Sequence, residues 1–120
     1  MDRFTDRVAL ITGGSRGIGF AIARRLLAEG ASVVITGRRQ ESLDAAVAAL
    51  GERASSVAGK ADDPAHRARA IAQVIERHGR LDHLVNNAGI NPAWGPVREI
   101  DTVIAHKILA VNVVATLEWT

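Results

Sequence analysis

Thr12-Gly13-Gly14-Ser15-Arg16-Gly17-Ile18-Gly19 joins two hydrophobic patterns of different period, and that junction decides the fold. Before it, Val8-Ala9-Leu10-Ile11 is a short continuous apolar run, as expected of a strand buried on both faces. After it, Ile18, Ile22 and Leu26 recur at every fourth residue, which predicts a helix with that apolar face, and Gly30 supplies its stop.

The same alternation continues outward. Val33-Val34-Ile35 reads as a second buried strand closed by Gly37, and Leu43, Ala46, Val47 and Leu50 mark a second helix ending at Gly51. A weaker strand is expected near Ser55-Ser56-Val57-Ala58. Asp63-Pro64 reads as N-cap and first helical position, since proline has no N–H to lose there. Ala68, Ile71, Ala72 and Ile75 form the expected buried stripe of that third helix, and Gly79 ends it. Leu81 to Val85 is a fourth strand leading into Asn86-Asn87-Ala88-Gly89. The loop Asn91-Pro92-Ala93-Trp94-Gly95-Pro96 follows, and a last helix is expected from Val97 to the end. Strands alternating with helices imply right-handed crossovers and a parallel sheet covered on both faces. In such a sheet ligands bind beyond the C-terminal strand ends, where Thr12-Gly13, Gly37-Arg38 and Asn86 to Gly89 all fall.

Gly13, Gly17 and Gly19 let the first turn bend tightly, approach a pyrophosphate and pack the helix on the sheet, while the helix's first N–H groups and its dipole favour an anion. Glycine in a turn also serves positive φ alone. Its place between a strand and a helix, at the start of a βαβ unit, favours the dinucleotide reading. The same letters spell G-x-S-x-G around Ser15, the nucleophile elbow of an α/β-hydrolase. That fold places its elbow after several strands, and His66, His78, His83 and His106 show no suitable order; they are expected on the surface.

An NAD site usually carries a carboxylate about 20 residues beyond the glycines. Gly37-Arg38-Arg39 stands there instead, and a guanidinium suits the 2′-phosphate of NADP, with Arg16 as a second cation. NADP(H) is therefore expected in preference to NAD(H), against the reading of two merely solvated arginines.

Composition narrows the rest. With 48% hydrophobic residues the chain is not disordered, and 120 residues suffice for one small domain. No apolar run approaches the roughly 18 residues of a membrane span, and Met1 to Arg7 has no apolar core of a signal peptide. No membrane role is expected. The net charge of +2 comes from scattered arginines, and with 3% aromatics there is little to stack on bases, so nucleic acid is not an expected partner. There is no cysteine, which removes thiolate chemistry and cysteine zinc sites; no metal site is expected, and the cytoplasm is the default compartment.

Together, Thr12-Gly13-x-x-x-Gly17-x-Gly19, Asn86-Asn87-Ala88-Gly89 and Asn112 within Val111-Asn112-Val113 resemble a short-chain dehydrogenase/reductase, from about Arg7 to the last residue. The overall look is similar to bacterial 3-oxoacyl-[acyl-carrier-protein] reductases. The resemblance implies a Rossmann-like doubly wound parallel sheet of the α/β class, truncated after the fourth strand and the following helix, with residues 1–120 as the N-terminal part of the dinucleotide-binding domain. It implies that Gly13, Gly17 and Gly19, with Ile18 in the same loop, hold the pyrophosphate, and that Ser15, Arg16 and Arg38 contact the adenosine phosphate side. Asp62 matches the position that binds the adenine amino group, and Asn87, Ala88 and Gly89 line the cofactor. Asn112 matches the asparagine of the family's catalytic tetrad, which helps hold a water in the proton relay. An amide amid Ile108, Leu109, Val111, Val113 and Val114 needs partners of its own. Local roles compete: Asp62 or Asp63 as a helix cap, Asn86 and Asn87 as turn formers.

The family transfers hydride between nicotinamide and a carbonyl or alcohol carbon, using a tyrosine, a lysine four residues later and a serine. This sequence holds no tyrosine, and Lys60 and Lys107 stand in the wrong context, so the chain as written is not expected to catalyse the reaction. Leu117-Glu118-Trp119-Thr120 stops inside an apolar helical pattern, which reads as truncation and leaves an apolar strand edge. The implied parent takes a small-molecule carbonyl or alcohol substrate and forms a homo-oligomer, dimer or tetramer. The alternatives are a non-catalytic NADPH-binding or assembly module and, more remotely, a hydrolase using Ser15. Trp94 is a candidate for the border of the substrate entrance.

Overall fold

The computed structural model describes residues 2–93 and 95–120; the expectation for Trp94 lies outside the described residues. Strands β1 (Val8–Ile11), β2 (Ser32–Gly37), β3 (Ala54–Ala58) and β4 (His83–Val85) form one parallel sheet in the order β3-β2-β1-β4. Leu10 is the centre of the register, beside Val34 on one side and Leu84 on the other. The order reverses at β1, and the crevice expected at such a switch point lies beyond the C-terminal ends of the strands.

Helices α1 (Gly17–Ala28) and α2 (Gln40–Leu50) cover one face, where Ile11, Ala23, Leu27, Val33, Ile35 and Leu43 form a core. On the other face, Val8, Leu10, Val34 and Val57 pack with Ala70 and Val74 of α3 (Pro64–His78) and with Ala115 and Trp119 near the chain's end. Burial from both sides explains why β1 and β2 read as unbroken apolar runs. Asp82, just before β4, accepts the Val8 N–H at 2.8 Å and pairs with Arg80, which together hold its carboxyl down to about 2.

The expected boundaries hold at the turns. Asp63 caps α3 by accepting from the Ala65 N–H at 3.0 Å, Pro64 opens it, and Gly79 closes it at φ +75°. The buried faces differ in phase from the expected ones. In α1 the residues against the sheet are Gly19, Ala23 and Leu27, and Ile18 is 74% exposed. Small residues there let the helix sit close to the glycine turn; of the expected stripe only Ile18 turns outward, while Ile22 and Leu26 stay partly buried at the edge of the core. In α3 the buried residues are His66, Ala70 and Val74, while Ile75 is exposed. The expectation that all histidines lie on the surface fails at His66, which is fully buried.

The last helix starts later than expected. A 3-10 turn at Val97–Glu99 ends in extended Ile100, and Asp101 caps the new helix by accepting from the Val103 N–H at 2.7 Å. Helix α4 (Thr102–Leu109) then runs through a π-helical turn (Ala110–Val114) into α5 (Ala115–Trp119). This corrects a further expectation: the continuous helix Thr102–Trp119, 18 residues of mean hydropathy 1.2, is long and apolar enough to cross a membrane by length and composition. Val111, Ala115 and Trp119 face the fold, and Val103, Leu109, Val113, Val114 and Leu117 are exposed.

Candidate cofactor site

The turn after β1 is tied to both neighbouring strands. Thr12 is buried; its N–H donates to the Val85 carbonyl at 3.0 Å, and its hydroxyl accepts from the N–H groups of Asn87 and Ala88 at 3.1 Å each. The Asn87 amide donates to the Gly13 carbonyl at 2.8 Å, and the Gly14 N–H donates to Thr36 O at 3.0 Å. The β1 and β4 loops are thus hydrogen-bonded to each other at three points.

The glycines divide the work. A Cβ on Gly19 would strike the Gly13 carbonyl and come within 2.6 Å of the Asn87 amide nitrogen, so glycine there allows α1 to press on the turn. Gly17 differs: its φ is +60° and a Cβ would meet nothing within 4 Å. That combination keeps open space at the head of α1. Among the described residues no side chain caps the helix, whose N-cap Arg16 is extended, so its first N–H groups are left for an anion. Gly14, not singled out from the sequence, is forced by Ile35, whose Cγ2 lies 2.6 Å from where a Cβ would stand.

The crevice is a cleft of about 550 Å³. Gly13, Ser15, Arg16, Gly17, Ile18, Arg38, Asp62, Asn87, Ala88 and Gly89 all line it, while Gly19 sits behind the turn. The structure therefore brings together residues spread over four segments of the chain. It adds Thr36, Ser42 and Ile90, which motif reading passed over, and gives Lys60 and Lys107, set aside as catalytic lysines, a place on the cleft wall beside Arg39. Arg16, Arg38, Arg39 and Lys60 are exposed cations on its walls, and Asp62 is the one carboxylate lining it among the described residues. Lys107 of α4 donates to Asp62 Oδ2 at 2.8 Å and holds that carboxyl below its ordinary value. No histidine lines the cleft among the described residues, so Ser15 has no base at hand for hydrolysis.

Asn112 lies just outside the cleft wall, in the middle of the π-helical turn. Its Oδ1 accepts from the Ile90 N–H and its Nδ2 donates to the Ile90 carbonyl, both at 2.8 Å. The amide is exposed and not buried among its apolar neighbours, so these bonds serve to hold the loop rather than to satisfy a buried group. The π-turn aims the amide at the Asn86 to Gly89 loop, and a Cβ on Gly89 would lie 3.4 Å from Asn112 Oδ1.

The lineage follows from the same residues. A model of the short chain dehydrogenase family matches residues 7–120. The chain belongs to the short-chain dehydrogenases. It is 42% identical over 120 residues to the human dehydrogenase/reductase SDR family member 4, covering 95% of this chain and 42% of the relative. Among solved structures, the short-chain dehydrogenase fold superimposes on a 3-ketoacyl-(acyl-carrier-protein) reductase from Brucella melitensis complexed with NADH, at TM-score 0.91 and 30% identity, over 97% of this chain and 48% of that one. It matches an NAD⁺-bound xylitol dehydrogenase at TM-score 0.92 and 28% identity, over 98% and 46% of the two chains. The chain spans less than half the length of these relatives. The Rossmann-like fold and the oxidoreductase family expected from the motifs are both those found.

Proposed function

We propose that this chain is the NADP(H)-binding part of an oxidoreductase that moves hydride between nicotinamide and a carbonyl or alcohol carbon. The observation that carries it is the open, uncapped head of α1 beside Gly17, flanked by Arg16 and Arg38 in one cleft. Gly13, Ser15, Gly17 and Ile18 would hold the pyrophosphate, with Gly19 keeping the helix close. Arg38, with Arg16, would take the adenosine-side phosphate, Asp62 the adenine amino group, and Asn87, Ala88 and Gly89 the inner part of the cofactor. When bound, the nicotinamide ring supplies the hydride.

This chain's own part is to bind and orient. Asn112 fixes Ile90 and, through it, the cleft wall, and its place in the catalytic tetrad assigns it to ordering the water of the proton relay. This sequence holds no tyrosine, so the part proposed for these residues is cofactor binding and not the proton transfer itself. The oxidoreductase's substrate would be a small carbonyl compound or alcohol, its state a dimer or tetramer, its compartment the cytoplasm, with neither membrane nor nucleic acid as partner. The packing of Val111, Ala115 and Trp119 into the core supports reading the last helix as part of this fold.

Preference for NADP(H) rests on Gly37-Arg38-Arg39, where no carboxylate opposes a 2′-phosphate. Titration of nicotinamide fluorescence tests it: the chain should bind NADPH more tightly than NADH, and Arg38→Asp should reverse the order. Equal affinity for the two in the unmodified chain would overturn the preference.

A further inference from the structure

The Asp62 carboxylate stands among cations in a cleft suited to phosphates, yet a single lysine from the far helix fixes how it is presented. Lys107 Nζ lies 2.8 Å from Asp62 Oδ2, and no other side chain donates to Asp62 among the described residues. Twelve residues along the same helix, Trp119 Nε1 donates to the Ala61 carbonyl at 3.0 Å. The Gly59 to Asp62 loop therefore hangs from the last helix at two neighbouring points, in addition to its bond from the Gly59 N–H to the Gly37 carbonyl. Lys107 and Asp62 are both partly exposed, so the pair adds little to stability.

Resting on the cofactor reading above, we propose that Lys107 is a positioning residue for the adenine ring. With Lys107 on Oδ2, the carboxylate is held in one orientation and Oδ1 is left as an acceptor for an N–H donor. An ionised carboxylate accepts only, which matches the exocyclic amine of adenine. The lysine also offsets a negative charge that would otherwise oppose the cofactor's phosphates. Without it, the carboxylate rotates freely or turns toward Lys60, and the competent orientation becomes a fraction of the population, raising the apparent Kd in proportion.

The experiment is a double-mutant cycle on binding, read by calorimetry with adenosine 2′,5′-bisphosphate and by fluorescence with NADPH. The variants are Lys107→Met, Lys107→Arg, Asp62→Asn and the double Lys107→Met/Asp62→Asn, each checked for an intact melt. Lys107→Met should raise Kd for both ligands by about fivefold, the scale of one partly exposed ion pair. Lys107→Arg should restore most of the loss, and Lys107→Met should cost nothing more once Asp62 is Asn. Unchanged Kd values with a lowered melting temperature would make the pair merely structural and overturn the proposal. Losses that add in the double variant would do the same. If the unmodified chain bound neither ligand, the cofactor reading itself would fall, and the role of Lys107 with it.

Discussion

Asn112 and Ile90 are joined by a closed pair of hydrogen bonds, the side-chain amide of one matching the backbone N–H and carbonyl of the other at 2.8 Å each. The pair pins the loop after β4 to the π-helical turn, so the cleft wall and the last helix move together. Asn112→Ala should leave both backbone groups to water and destabilise the chain by ~1 kcal/mol. Asn112→Asp, which keeps the acceptor and loses the donor, should fall between the two. Urea melts of the three proteins check this; an alanine variant as stable as the parent would show that the pair does not hold the loop.

The glycines of the first turn should respond differently to the same change. Gly19→Ala places a methyl group against the Gly13 carbonyl and the Asn87 amide, so α1 must shift away from the turn. A loss of about 1–3 kcal/mol is expected, with cofactor binding lost alongside. Gly17→Ala meets no atom but must adopt φ +60°, which costs roughly 1–2 kcal/mol of backbone strain. Thermal melts of both variants, with and without NADPH, separate collision from strain; a Gly19→Ala protein that keeps its stability and its response to NADPH contradicts the packing role.

His66 predicts how stability depends on pH. The ring is fully buried, stacked edge-on against Trp119 at 5.6 Å, and neither nitrogen has a hydrogen-bond partner among the described residues. Burial pushes its pKa below the ordinary 6.5, with nearby Arg69 acting in the same direction. The unfolded chain therefore binds the proton more readily than the folded one. Stability from this group is complete above about pH 6.5 and declines below it, at up to about 1.4 kcal/mol per pH unit until the folded-state pKa is reached. His66→Leu should flatten the urea-unfolding profile between pH 6.5 and 5. An unchanged slope in that variant would assign the acid sensitivity elsewhere.

The four strands and the glycine stops of the first three helices were legible because both rest on local chemistry. Continuous apolar runs mark strands buried on two faces, and Gly30, Asp63-Pro64 and Gly79 act within their own turns. What the sequence left open depended on distance. The face of α1 is decided by how closely Gly19 approaches Gly13, and periodicity carries no information about that contact. His66 is buried because Gly59, in another segment, leaves room for the ring. The same holds for the site: the motifs brought the glycine turn, Arg38 and Asn87 together, whereas Lys107 gains a role only through a partner 45 residues away.

The most direct test of the cleft as a cofactor site is a thermal melt of this chain with saturating NADPH, with NADH and with neither. Ligand bound to the folded state alone stabilises it by about 2.7 kcal/mol at a hundredfold excess over Kd, a rise of several degrees for a domain of this size. The account predicts one cooperative transition, raised by NADPH and less by NADH. A cooperative transition that neither cofactor moves would contradict it.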